Sequence, residues 1–203
     1  NYELNGLVDQ LGSLGIDFTI KVVDGSEPAP TLEDDPAAYA MRAAQAKAEA
    51  VARAAGPETP DAVVLGSDTI VVLHEEHGPI ILGKPASRDE ALAMLLHLSG
   101  RTHTVYTGCC IIWLSARGES RTELFYDAAD VTFAEWPEDV LRAYAATGEC
   151  DDKAGSYAIQ GLGSFLVSGI KGQWATIVGL PVLAVAQRLM EGGGIGKKIT
   201  YDS

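Results

Sequence analysis

The 203-residue chain is short of positive charge, of cysteine and of long apolar runs, and each shortage closes off a class of function. Lysine and arginine together number 15 against 28 aspartates and glutamates, a formal charge of −13. So acidic a chain repels polyanions, which argues against a general binder of nucleic-acid polymer or of membrane surface. A nucleotide substrate stays open, because the Debye length at physiological salt is ~8 Å and a few local cations with a metal outweigh distant acids. No apolar run approaches the ~20 residues that span a bilayer, and no signal peptide opens the sequence, so a cytoplasmic location is expected. The three cysteines, Cys109, Cys110 and Cys150, lack C-x-x-C spacing and read as free thiols in a reducing compartment, not as a zinc site or disulfide framework. Four histidines stand singly without an i, i+4 pair, which speaks against zinc as well. With neither a G-x-S-x-G elbow nor a G-x-x-x-x-G-K-[ST] loop, covalent serine catalysis and P-loop chemistry are poor candidates.

What is present is the balance of an ordinary globular protein, 47% hydrophobic and 21% charged, long enough for one domain with a sizeable core. Strands alternate with helices. A short helix over Leu7 to Leu14 closes at Gly15 and a strand follows from Asp17 to Val23. The Pro- and acid-rich stretch Asp24 to Asp35 reads as a loop. Asp35-Pro36 opens a long Ala-rich helix to Ala55, with Asp as N-cap and Pro at the first helical position. Ala62 to Leu65 and Thr69 to Leu73 read as buried strands around a Gly-Ser-Asp interruption. Ser87-Arg88-Asp89-Glu90 is a capping box, predicting a helix from Ser87 to Leu98 that stops at Gly100. Arg101 to Leu114 and Arg121 to Phe133 predict a long antiparallel hairpin about the turn SARGES. Pro137 starts a helix to Ala146, Tyr157 to Gln160 reads as a Gly-bounded strand followed by two short strands, and Pro181 starts the last helix. From Gly192, three glycines and Lys197-Lys198 predict a flexible tail. The class is α/β with a mixed sheet.

Five places carry candidate chemistry. Asp68 lies in VVLGSDTIVVL between two apolar β-branched runs, where an ionised carboxylate costs several kcal/mol unless a metal or a donor meets it. The plain alternative is a bulge or turn with Asp as a local cap. Lys84, in Gly83-Lys84-Pro85 before a helix N-terminus, offers a point charge for phosphate, though a solvated turn lysine is the commoner case. Lys47 sits in AAQAKAEA among small residues that allow it to reach inward, against the default of a surface lysine. Ser99-Gly100 precedes the hairpin. Finally GECDDKAGSYAIQG, Gly148 to Gly161, sets Glu149, Asp151 and Asp152 against Lys153 and ends in Gln160. Mg²⁺ takes one or two carboxylates and keeps its other positions for phosphate and water, and an amide both donates and accepts, which suits a nucleobase edge. A solvated acidic turn is the bland reading.

Taken together, GSDTIVV (Gly66 to Val72), LGKP (Leu82 to Pro85), LSGRTHTVYTG (Leu98 to Gly108), GECDDKAGSYAIQG and VGLP (Val178 to Pro181) resemble the Maf family of nucleoside triphosphate pyrophosphatases. DDPAAYAMRAAQAKA, Asp34 to Ala48, matches too, and the likeness runs in order from about Leu11 to Leu189. The resemblance implies a Maf/ITPase-like fold with a cleft between two lobes in one domain over residues 1–191. It implies hydrolysis of a nucleoside triphosphate between its α and β phosphates. It makes Asp68 the proton acceptor, with Lys84 and Lys153 as further catalytic residues on the phosphate side. Thr69, Gln160, Lys47 and Ser99 become substrate-binding, and Asp68, Glu149 and Asp152 the holders of Mg²⁺ or Mn²⁺, which would neutralise phosphates and help generate hydroxide. The late motif resembles the branch acting on dTTP and UTP, whose O4/N3–H edge an amide can pair with. A homodimer is the expected assembly.

One departure weighs against this. The family opens with a strand and an SxSPRR loop, whereas NYELNG precedes the first helix here. Residues missing near Gly6, visible as a chain separation between Leu4 and Leu7, are the expectation, since loss of a central parallel strand would leave the sheet core open. The alternatives are a house-cleaning enzyme for another altered base, such as inosine triphosphate, and a non-catalytic nucleotide-binding regulator of cell division or septum formation.

Overall fold

The computed structural model describes residues 12, 17–20, 35–55, 62–115, 120–193 and 198–202. In chain order these form β1 (Asp17–Ile20), α1 (Pro36–Ala55), β2 (Val63–Glu75), β3 (Gly78–Leu82), α2 (Arg88–Leu98), β4 (Thr102–Leu114), β5 (Ser120–Phe133), α3 (Glu138–Ala146), β6 (Val167–Lys171), α4 (Trp174–Val178), α5 (Val182–Glu191) and β7 (Lys198–Asp202). The strands hydrogen-bond in the order β1-β7-β2-β4-β5-β6, with β3 paired to β2. The sheet is mixed: β7 runs parallel to β1 and β2, while β3 is antiparallel to β2 and β6 to β5. The chain divides into two compact units, one of Asn1–Asp68, Thr107–Asp127 and Val178–Ser203, the other of Thr69–Tyr106 and Ala128–Ile177.

In the first unit, α1 begins as its sequence predicts. The Asp35 carboxylate accepts from Ala38 N at 2.9 Å and its carbonyl from Tyr39 N at 2.9 Å, satisfying donors that a helix start leaves unpaired. The alanines Ala40, Ala43, Ala44 and Ala48 are fully buried, and Ala44, Ala48 and Val51 pack with Val64, Cys110 and Ile112. So close an approach needs glycine on the strands. A Cβ on Gly66 would stand 2.5 Å from Ala44 O and 2.8 Å from Ala48 N, and one on Gly108 would collide with the backbone at Ala40. Small residues on helix and strand together seat the helix backbone on the sheet.

Two expectations change here. Gly66-Ser67-Asp68 does not interrupt the β structure: β2 runs unbroken from Val63 to Glu75, because the apolar residues on both sides hold the strand through it. The segment beyond Gly192, expected as a flexible tail, contributes β7, pairing Lys198 to Tyr201 with Asp17 to Ile20 and Ile199 to Asp202 with Val63 to Gly66. The Ile199–Tyr201 stretch is β-favouring, and its place between two parallel strands satisfies both its backbone edges. The expected separation between Leu4 and Leu7 lies outside the described residues, as does the helix over Leu7 to Leu14 apart from Gly12, which is helical.

In the second unit, α2 carries its capping box: Ser87 Oγ accepts from Glu90 N at 3.2 Å, while the Glu90 carboxylate reaches Ala86 N at 2.7 Å. Its apolar face, Ala91, Leu92, Leu95 and Leu98, joins a core with Val71, Leu73, Val131, Phe133, Leu141 and Leu166. Full burial of each such side chain is worth ~1.5–3 kcal/mol before entropy is counted. At its centre His103, Phe133 and Tyr157 pack edge to face in pairs, with ring centroids 4.8 to 5.4 Å apart. His103 Nε2 and the Tyr157 hydroxyl are 2.8 Å apart, while His103 Nδ1 is buried without a partner. Tyr157 to Gln160, expected as a strand, is irregular and turns into a 3₁₀ segment over Gly161–Leu166; between it and Pro181 the chain forms one strand, β6. The Tyr157 side chain is anchored inward on His103 and the backbone after Gln160 is drawn into the turn by Glu149, so the segment cannot extend.

Candidate active site

In the first unit the site begins with Lys47 and Asp68. The Lys47 ammonium is 2.8 Å from Asp68 Oδ1, and both side chains are largely covered, at 17% and 11% exposure. The pairing follows from packing: Gly66 admits the α1 backbone against β2, and Lys47 lies on the same turn as Ala44 and Ala48, the residues it admits. A carboxylate this covered needs a compensating cation, and the helix lysine supplies one. Asp68 is thus no turn cap; it is a strand residue paired with a lysine on a helix.

In the second unit two lysine loops meet. Gly155 N donates to Gly83 O at 3.1 Å, which ties the loop of Lys84 to the loop of Lys153 although 69 positions separate the lysines in sequence. Asp152 Oδ1 lies 2.7 Å from Lys153 Nζ. That hydrogen bond, joined by the positive charges of Lys153 and Lys84, holds the Asp152 carboxyl below the usual carboxylate range. The result is a small patch rich in ammonium groups on a chain of net negative charge.

The three acids before Lys153 have three different employments. The two Glu149 oxygens accept from Leu162 N at 2.9 Å and Gly163 N at 2.8 Å. Asp151 pairs with Arg88 at 3.2 Å, and Arg88 also donates to the carbonyls of Ala145 and Ala146, fastening the end of α3 to the start of α2. Asp152 alone stays with the lysines. Among the described residues, no group of three or more His, Cys, Asp or Glu side chains could hold a metal ion by itself. Both Glu149 oxygens accept backbone amides here, so this acid, expected as a metal ligand, also braces the backbone beyond Gln160. Asp68 and Asp152 remain hard oxygen donors of the kind Mg²⁺ or Mn²⁺ takes alongside phosphate.

Gln160 is half-buried at the start of the 3₁₀ turn and Thr69 half-buried in β2. Ser99, expected to bind substrate, caps the C-terminus of α2 instead: its backbone N–H reaches Leu95 O, and its hydroxyl accepts from Trp136 N at 2.9 Å. That bond accounts for the residue without a ligand. Sequence reasoning missed Arg88, Tyr144 and the support role of Glu149. All three act on backbone groups more than ten positions away, and no local pattern announces such bonds.

The three cysteines are buried and free. Burial pushes the Cys110 thiol up to about 12 and raises Cys109 and Cys150 as well, so none is a ready nucleophile. No helix among the described residues is long and apolar enough to cross a membrane.

Similar proteins bear on this geometry. The chain is 44% identical over 182 residues, 90% of its length and 81% of the relative's, to a dTTP/UTP pyrophosphatase of Nitratidesulfovibrio vulgaris. It is 42% identical to the dTTP/UTP pyrophosphatase of Deinococcus radiodurans, over 91% of this chain and 87% of that one. For the dTTP/UTP pyrophosphatase of Bacillus cereus the figures are 43%, 90% and 87%. A family model described as Maf-like protein matches residues 8–192, most of the chain, which therefore belongs to the Maf-like protein family.

Proposed function

We propose that this protein is a nucleoside triphosphate pyrophosphatase that hydrolyses dTTP- and UTP-type nucleotides, modified ones included, to the monophosphate and pyrophosphate. The observation that carries the reading is the bond from Gly155 N to Gly83 O, which gathers Lys84 and Lys153 on one unit as a seat for a polyanion. Similarity to proteins named for this activity supports it.

In this reading Asp68 takes a proton from water, and the water oxygen bonds to the α phosphorus. The bond from that phosphorus to the bridging oxygen breaks, and pyrophosphate leaves with the electron pair. The Lys47 ammonium keeps Asp68 oriented and anionic until the proton arrives. Lys84 and Lys153 neutralise charge on the leaving phosphates. The amide of Gln160, with Thr69, reads the O4/N3–H edge of the pyrimidine. A bound Mg²⁺ or Mn²⁺, for which a carboxylate such as Asp68 is a suitable donor, would supply charge neutralisation and a more acidic water. A cytoplasmic homodimer drawing on the free nucleotide pool belongs to the same proposal.

The test is product analysis on a panel of triphosphates with Mg²⁺ or Mn²⁺. Pyrophosphate and monophosphate from dTTP and UTP ahead of purine nucleotides is the expected result. Release of orthophosphate, or no turnover of any nucleotide despite binding, would overturn it.

A further inference from the structure

We propose that Glu149 is a positioning residue that sets base discrimination by clamping the backbone on which Gln160 is carried; this rests on the reading of Gln160 as the group that meets the pyrimidine. The carboxylate accepts from Leu162 N at 2.9 Å and Gly163 N at 2.8 Å, two and three residues past Gln160. On the other side of Gln160, Ala158 N donates to the Tyr144 hydroxyl at 3.1 Å. Burial, with the Glu149 carboxylate nearby, pushes the Tyr144 phenol up. Glu149 and Tyr144 therefore hold the chain both before and after Gln160, with only Ile159, Gln160 and Gly161 between the anchors.

The fit leaves no slack. Gly161 has φ +76°, a conformation that disfavours any side chain, and a Cβ there would collide with the Glu149 carboxylate. A Cβ on Gly163 would stand 2.6 Å from the Tyr144 hydroxyl and run into Ala158 O. A carboxylate accepting two backbone N–H groups forms charge-assisted bonds, stronger than those of a neutral amide. Held so, the Gln160 backbone gives its amide one fixed origin, and a side chain of fixed origin distinguishes two base edges better than a mobile one.

Glu149→Gln keeps the shape, but the new amide cannot present two acceptor oxygens to two N–H donors. In that variant the amides of Leu162 and Gly163 should lose hydrogen-exchange protection. The ratio of kcat/KM for UTP over CTP should fall about tenfold, through KM for UTP more than through kcat. Gln160→Ala should lower the same ratio, and the double variant should fall no further than Gln160→Ala alone. If Gln160→Ala lowers the ratio and Glu149→Gln leaves it unchanged, or lowers kcat equally for both nucleotides, Glu149 supports the fold only and the proposal is overturned. If Gln160→Ala itself leaves the ratio unchanged, the assignment of Gln160 to the base fails, and the proposal with it. Thermal midpoints of all three variants separate either result from unfolding.

Discussion

Lys47 Nζ stands 2.8 Å from Asp68 Oδ1, a contact between a helix and a strand 21 residues apart that both packing and chemistry require. The helix can approach the strand that closely because the strand residue beneath it is Gly66. The carboxylate can stay charged in its covered position because the ammonium reaches it. One glycine and one lysine thus accommodate an acid within an apolar run.

Asp68→Asn keeps the side-chain shape and removes the proton acceptor. Turnover of dTTP or UTP should drop by ~10²-fold or more, while the thermal midpoint and far-UV spectrum stay those of a folded protein. Steady-state kinetics beside a melting curve check this; near-normal turnover removes Asp68 from the mechanism.

Gly66→Ala should damage stability and activity together. The added methyl meets Ala44 O and Ala48 N, which belong to helix backbone and cannot rotate away, so α1 must shift at a cost of ~1–3 kcal/mol. Because Lys47 rides on α1, its contact with Asp68 lengthens as well. A lowered urea midpoint with a lowered kcat is the expected pair; a change in neither would show that α1 is more loosely seated than its contacts imply.

His103 should give the protein a pH-dependent stability below neutrality. Burial holds its imidazolium form down, opposed by the charge of Asp130, and its pKa falls from 6.5 to about 4. The folded state therefore binds this proton less readily than the unfolded chain. As pH drops from about 6.5 to about 4 the unfolded state gains protons first, and stability declines across that window. Below about 4 both states are protonated and the contribution is spent. His103→Gln removes the proton site, so its urea-unfolding free energy should fall less steeply between pH 6.5 and 4 than the parent's. Parallel curves would remove His103 as the cause.

Truncation after Gly193 removes β7, which hydrogen-bonds β1 on one edge and β2 on the other. The shortened chain should lose cooperative unfolding, since two strand edges lose their partners at once. A sharp, parent-like transition would mean that β7 adds little to the sheet.

Much of this protein could be read from its residues alone. Asp35-Pro36 and the Ser87 capping box predict the starts of α1 and α2, because caps are chemistry between residues three or four apart. The runs on either side of SARGES likewise predict β4 and β5, which pair as neighbours in the sheet, and the ordered motifs carry the family. What depended on the tertiary structure is every assignment decided by a partner far along the chain. Asp151 and Glu149 look alike in GECDD, yet one answers Arg88 and the other two backbone amides beyond Gln160. Ser99 became a cap once Trp136 arrived, the Gly-rich tail became a strand once β1 and β2 offered it two edges, and Tyr157 to Gln160 lost its strand to the pull of His103 and Glu149. Local pattern determines which backbone a residue prefers. Only folding brings the donors and acceptors together that decide what its side chain is left free to do.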